Sequence, residues 1–202
     1  MKTISAQSKI LIPIGDAAEA MDTLYPYYRL REDGYEVVAA GPERRVYPLV
    51  MHEIPPGWDI TRESASYHLA SDIAFRDVRP EEYLGLFLTG GRAPEYLRYD
   101  EDLMRIVRHF FACGKPVASV CHGAEIAAAA RVIDGRRMAT VPKCKLDIEL
   151  CGATFVNEGS VRSGNLVSGR TWHDQHLYMP EFLRMLAAAQ AQEDRHAAVV
   201  PA

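Results

Sequence analysis

Ala118-Ser119-Val120-Cys121-His122-Gly123 is an apolar run that ends in a cysteine and a glycine and then opens into the alanine-rich stretch Ala124 to Ala130. A short buried strand that turns sharply into a helix puts the residue at the turn on strained, exposed backbone, with its side chain at the positive end of the helix dipole. A cysteine at such an elbow is placed to act as a nucleophile. A free thiol titrates near about 8.5, and a helix N-terminus lowers that value and raises the thiolate fraction at neutral pH. The competing reading of the same letters is a buried structural cysteine followed by a surface histidine. The strand before Cys121, the small Ser119 two positions before it and Gly123 two positions after it favour the elbow.

Outward from that turn, the chain alternates strand and helix patterns. Ile10-Leu11-Ile12-Pro13-Ile14, bounded by Gly15-Asp16, is a continuous apolar run of the kind covered on both faces, and predicts a first parallel strand. Met21, Leu24, Tyr25 and Tyr28 follow at helical spacing with Gly34 as the stop, and Pro26 inside the pattern implies a kink or an early-turn position. Tyr35 to Ala40 and Tyr83 to Leu88 are further strands, the latter running into Thr89-Gly90-Gly91. Leu103, Ile106, Val107, Phe110 and Phe111 form the apolar face of a helix that stops at Gly114. Pro116 to Val120 carries Cys121. Arg137 to Val141, Thr154 to Val156, Ser160 to Arg162 and Leu166 to Ser168 read as short strands, and Tyr178 to Gln190 as the closing helix. This alternation predicts an α/β protein, a three-layer αβα sandwich on a mostly parallel sheet with a nucleophile elbow. Ligands of such sheets sit beyond the carboxyl ends of the strands, which is where Glu19, Gly90-Gly91 and Cys121-His122 fall.

With 202 residues, 48% hydrophobic content and a net charge of -4, one domain spanning residues 1–202 is expected. Within it, an insertion at about 42–75 and a frayed tail at about 190–202 are expected. The insertion is broken by Pro42, Pro48, Pro55, Pro56 and Gly57, yet it is rich in Tyr, Trp and His. Two readings stand for it, a functional lid or interface arm and a hairpin that pads the surface. A pI near 6.0 with scattered basic residues excludes a phosphate-backbone partner. No apolar run approaches the roughly 20 residues of a membrane span, and Met1 to Lys9 lacks the apolar core of a secretory signal, so a cytoplasmic protein is expected. Cys113, Cys121, Cys144 and Cys151 lack paired C-x-x-C spacing and are expected as reduced thiols with no metal. Cys113 and Cys151 each precede a glycine and read as packing residues. Cys144, between Lys143 and Lys145, reads as a secondary oxidation site with a lowered pKa.

An elbow cysteine needs donors for developing negative charge. Gly90 and Gly91 can present backbone N–H groups with no Cβ in the way, and the His122 amide supplies another, together an oxyanion pocket around Cys121. At this point the residues resemble a known family. Ser119-Val120-Cys121-His122-Gly123, Gly90-Gly91-Arg92-Ala93-Pro94-Glu95-Tyr96-Leu97, Gly114-Lys115-Pro116-Val117-Ala118 and Tyr25-Pro26-Tyr27 are similar to the ThiJ/PfpI superfamily, over most of the chain. The resemblance implies the flavodoxin-like, class I glutamine-amidotransferase-like fold. It implies membership of a group of peptidase-like proteins, glyoxalase III enzymes and deglycases that form dimers or larger assemblies. It also implies that Glu19, from the loop after the first strand, contacts Cys121, as a protonated acid because adjacent negative charges repel. His122 corresponds to a base oriented by an acid of a neighbouring subunit, and Glu95 holds the matching place. Consecutive residues at a turn diverge, so His122 and Glu95 are taken as supporting or interface residues. His68, His173 and His176 are further pocket candidates. The sequence departs from the family at Thr89, at Val141-Pro142-Lys143 and at Thr171-Trp172-His173-Asp174, which leaves the substrate open.

Three functions follow from the resemblance. One is a cofactor-independent enzyme of glyoxalase III or deglycase type, in which Cys121 adds to a small reactive carbonyl, the glycine amides hold the oxyanion and Glu19 relays the proton. Another is a cysteine amidase or peptidase completed across subunits. The third is a sensor of oxidative stress, in which Cys121 is oxidised and Glu19 stabilises the product. A glutamine amidotransferase is disfavoured, because Ser119 replaces a glycine and Met179-Pro180-Glu181 lacks the histidine of a His-x-Glu pair.

Overall fold

A computed structural model of the chain describes residues 8–199, with side chains to residue 195. The central sheet has seven strands in the order β11-β12-β8-β7-β1-β3-β6: Val161–Ser163, Leu166–Gly169, Val117–Val120, Gly85–Leu88, Lys9–Pro13, Glu36–Gly41 and Ile73–Ala74. Every pairing in it is parallel except that of edge strand β11 with β12. Side chains alternate across the sheet as a strand demands: Leu11, Leu86, Leu88 and Val117 enter one core, and Ile10, Ile12, Phe87, Ala118 and Val120 the other. The first core is closed by α3 (Glu101–Ala112) and α4 (Gly123–Ala129). The second is closed by α1 (Ala20–Glu32) and α6 (Gln175–Val199). The expected three-layer αβα arrangement is therefore present.

The strand order reverses around β1, which lies between β7 and β3. That reversal opens a crevice at the carboxyl edge of the sheet, where loops from β1, β7 and β8 meet. The loops after β1 and β7 are zipped together. Glu19 N–H donates to the Gly90 carbonyl at 3.1 Å, and Arg92 N–H to that of Ala17 at 2.8 Å. Gly91 sits at φ +86°, and a Cβ there would collide with the Glu19 and Ala17 backbone, so this join requires glycine.

Several elements differ from expectation, each because tertiary pairing overrides local pattern. Residues 137–141 and 154–156 contribute only Arg137–Met138 (β9) and Thr154–Phe155 (β10), which pair with each other in a separate parallel ribbon rather than joining the central sheet. Two short helices, Ala93–Leu97 (α2) and Lys145–Leu150 (α5), lie in the connections. Pro26 lies in the middle of α1, not in its first turn. The closing helix continues to Val199, so most of the segment expected to fray is helical. The insertion is an antiparallel hairpin of β4 (Val46–Glu53) and β5 (Arg62–Ala70), joined to the body by the two-residue strand β2 (Ala18–Glu19) on β4.

Phe182 of α6 is fully buried and meets Phe87 of β7 edge-on, with ring centroids 5.8 Å apart. Phe182→Ala is expected to lower the unfolding free energy by about 3–5 kcal/mol, read as a lower urea midpoint with an unchanged denaturant slope.

Candidate active site

Cys121 occupies the single residue between β8 and the turn into α4, at φ +54°, a left-handed conformation that a residue with a Cβ adopts only when the surroundings hold it there. Two contacts do the holding. Thr140 Oγ1 donates to the Cys121 carbonyl at 2.7 Å, and Cys121 N–H donates to the Gly169 carbonyl at 3.4 Å. The thiol is 5% exposed. Its sulfur accepts from the backbone N–H groups of Gly91 and His122, two of the three donors expected from the sequence. Gly90 is needed for clearance instead: a Cβ on it would strike both Asp22 Oδ2 and the Cys121 side chain.

The carboxyl group that faces the thiol is that of Asp22, not Glu19. The Asp22 side chain is fully buried and its Oδ2 shares the space over Gly90 with the Cys121 side chain, while neither carboxyl oxygen has a hydrogen-bond partner among the described residues. Glu19 is the N-cap of α1: its Oε2 accepts from Asp22 N–H at 2.6 Å, and the Met21 and His52 amides also donate to it. The residue expected to touch Cys121 is thus one step removed, behind the residue that does. Asp22 carried no signal in the sequence, where the apolar spacing picks out Met21, Leu24, Tyr25 and Tyr28; in the fold it is Asp22 that is buried, with Thr23, Pro26 and Leu30, while Met21 and Tyr28 are exposed.

Burial holds Asp22 well above the ordinary carboxylate range, and the nearby Glu19 carboxylate raises it further. Burial likewise raises Glu19, against the pull of its amide donors. The thiol of Cys121 is also raised, by burial first and by Asp22 second, while the Gly91 and His122 amides pull it down. This corrects the expected lowered thiol pKa: α4 has only seven residues, and its dipole does not outweigh desolvation beside a carboxyl group. Asp22 and Cys121 form a buried pair that keeps a proton between them.

His122 turns its Nδ1 to the Gly91 carbonyl at 3.1 Å, and burial together with Lys143 lowers its pKa to about 4. It is a neutral imidazole at physiological pH. Glu95 does not reach it within the chain; its carboxylate lies 3.6 Å from Arg92 Nε. A cavity of about 970 Å³ opens beside Cys121 and His122, with Glu95, Trp172 and His173 on its wall. His173 Nδ1 is 3.1 Å from Thr171 Oγ1. His68 is exposed on β5 outside this wall, and His176 is exposed on α6, also outside it. His52, which drew no attention in the sequence, lines the cavity from β4 and pairs with Glu63 at 3.2 Å. The insertion is a hairpin whose residues wall the cavity of its own chain.

The remaining cysteines also depart from expectation. Cys144 is 1% exposed, and burial together with Glu125 raises its pKa, so its lysine neighbours do not activate it. Cys113 is exposed rather than packed, while Cys151 packs against the first core.

A parallel α/β sandwich that holds a cysteine in left-handed backbone at a strand-to-helix elbow, against a glycine-loop amide and a buried carboxyl group, defines the class of thiol-elbow α/β proteins. Within that class the chain belongs to the DJ-1/PfpI family, whose sequence model matches residues 8–185. It is 38% identical to a deglycase of Pyrococcus abyssi over 178 residues, which is 88% of this chain and 99% of that protein. It is 35% identical to Deglycase PfpI of Pyrococcus furiosus over the same length, 88% of this chain. Protein/nucleic acid deglycase 2 of Escherichia coli is 31% identical over 181 residues, 89% of this chain and 98% of that one. The fold is shared with the ThiJ/PfpI domain protein of Brachyspira murdochii at TM-score 0.76 and 15% identity, covering 91% of this chain and 99% of that chain.

The neutral His122 has a measurable consequence for stability. An imidazole titrates near about 6.5 in the unfolded chain and at about 4 in the folded one, so between these values the unfolded state binds more protons. This contribution is intact above pH 6.5 and is lost as pH falls toward 4. The melting temperature of His122→Gln, measured from about pH 7 down to pH 5, is expected to fall less steeply than that of the parent.

Proposed function

We propose that the protein is a cysteine-dependent enzyme of deglycase type that acts on small reactive carbonyls and on the adducts they form with amines and thiols. The observation that carries this reading is the arrangement of Cys121, with two backbone amides on its sulfur, Asp22 against it and a cavity of about 970 Å³ in front. Curated relatives at 31–38% identity bear the name deglycase, which supports the same reading.

In this scheme the Cys121 sulfur adds to the aldehyde carbon of a 2-oxoaldehyde, forming a C–S bond, and the thiol proton passes through Asp22 to the new alkoxide. The Gly91 and His122 amides, already turned toward the sulfur, stabilise the charge on oxygen in the transition state. Asp22 then takes the proton from that carbon and returns it to the neighbouring carbonyl carbon, while the hydroxyl proton of the first carbon passes to the oxygen of the second, leaving a hydroxyacyl thioester. Water cleaves the C–S bond: its hydroxyl completes the hydroxy acid and its other proton returns to the Cys121–Asp22 pair. The net change is addition of one water and movement of hydrogen within the substrate, so the residues named suffice. An adduct with an amine releases that amine at the first step. Asp22 takes the relay role that the resemblance assigned to Glu19, because it is the carboxyl group beside the sulfur.

An amidase reading needs a base aimed at the sulfur. His122 instead turns its Nδ1 to the Gly91 carbonyl, and no acid among the described residues hydrogen-bonds its ring. We also propose self-association, supported by Met51, Ile54, Trp58 and Ile60, all exposed on or beside the hairpin. A cytoplasmic location fits the free cysteines, and no helix among the described residues is long and apolar enough to cross a membrane.

The test is release of lactate from methylglyoxal, and of free amine from a methylglyoxal-treated amino acid, by the purified chain. Cys121→Ser and Asp22→Asn are each expected to lower kcat/KM by at least about 10²-fold, and Glu19→Gln to have a smaller effect. Activity that survives Cys121→Ser overturns the proposal.

A further inference from the structure

Behind the elbow the fold gathers three potential ligands, His122 among them, that no sequence spacing announces. His122 and Glu125 stand one turn apart at the start of α4, and Cys144 closes onto them from the short 3₁₀ turn Pro142–Cys144. Cys144 Sγ is 3.5 Å from Glu125 Oε1. One nitrogen, one oxygen and one sulfur, a donor from each residue, all lie within 4.8 Å of one another. Cys144 is 1% exposed and Glu125 8% exposed, so these are not surface groups that share a neighbourhood by chance.

The surroundings orient these donors as outer-shell groups orient metal ligands. Arg98 Nη1 holds Glu125 Oε2 at 3.3 Å, which leaves Oε1 to accept from the Cys144 thiol. The charged groups that face the cluster are of both signs, Arg98 and Lys143 against Asp147 and Glu95, with Arg98 Nη1 3.7 Å from Asp147 Oδ1 and His52 also near His122. Burial raises both the Glu125 carboxyl and the Cys144 thiol, so a proton now occupies the place between oxygen and sulfur.

We propose that His122, Glu125 and Cys144 bind a borderline-soft divalent cation, zinc in the first place, with a fourth position left to water. Mixed nitrogen, oxygen and thiolate donors suit zinc and do not suit magnesium or calcium, which take oxygen ligands. A tetrahedral site needs each donor about 2.0–2.3 Å from the ion, a contraction of about 1 Å in the present spacing. On binding, the hydrated ion sheds all but one of its waters as the Zn–N, Zn–O and Zn–S bonds form, and the Cys144 proton leaves to solvent with them. The ion enters from the cavity, whose wall includes His122 and Lys143. This site shares His122 with the elbow but does not depend on the catalytic proposal, since its test reads binding and not turnover.

The experiment is equilibrium dialysis of the reduced full chain against ZnCl₂, with CoCl₂ as the spectroscopic substitute. One zinc per chain is expected, unaffected by excess magnesium, and cobalt is expected to give a sulfur-to-metal charge-transfer band. Cys144→Ser and Glu125→Gln are each expected to weaken zinc binding by at least about tenfold, while Cys121→Ala and Cys113→Ser leave it unchanged. Circular dichroism checks that each variant folds. If Cys144→Ser does not fold, Glu125→Gln and the cobalt band of the parent chain decide the matter. Zinc that is lost with Cys121→Ala but kept by Glu125→Gln overturns the proposal, as does the absence of binding at micromolar zinc.

Discussion

One strained residue organises the functional end of this molecule. Cys121 at φ +54° stores a backbone cost that the surrounding contacts must offset, and they come from three separate stretches of chain: Thr140, Gly169 and the Gly90-Gly91 loop. The last of these is itself fastened to the loop after β1 through Ala17 and Glu19. The elbow, the amide donors and the start of α1 therefore form one connected piece of backbone at the sheet edge. The layers beneath, with Phe87, Tyr178 and Phe182 on one face and α3 with α4 on the other, keep that edge rigid.

The second constraint is electrostatic. Asp22 and Cys121 are buried against each other with Glu19 close behind, so full ionisation of all three would set like charges in a medium that solvates none of them well. The site resolves this by keeping a proton on the pair. That same proton is what a carbonyl addition needs, since it must reach the new alkoxide as the C–S bond forms. A thiol with a raised pKa is thus consistent with catalysis when its proton acceptor is built in. His122, held neutral, contributes its backbone N–H to the sulfur and its ring to the wall of the cavity.

Much of this was legible in the chain itself. The apolar run ending in Cys121, the glycine pair and the alternation of strand and helix patterns determined the layered α/β class, the elbow and the meeting of the glycine loop with Cys121, because these rest on local sterics and on periodicity. Motifs quoted along most of the chain also determined the family. What only the tertiary structure decided is which side chains meet. Glu19 and Asp22 lie three residues apart on one turn, and only the cap geometry, which turns Glu19 down onto the Asp22 amide, leaves Asp22 facing the sulfur. His52 reaches the cavity because β4 is folded back beside β2, and Cys144 is shielded from its flanking lysines because its side chain turns inward to Glu125. Chemistry at a site depends on distances between groups far apart in sequence and on how much water they lose, and neither is written in local pattern.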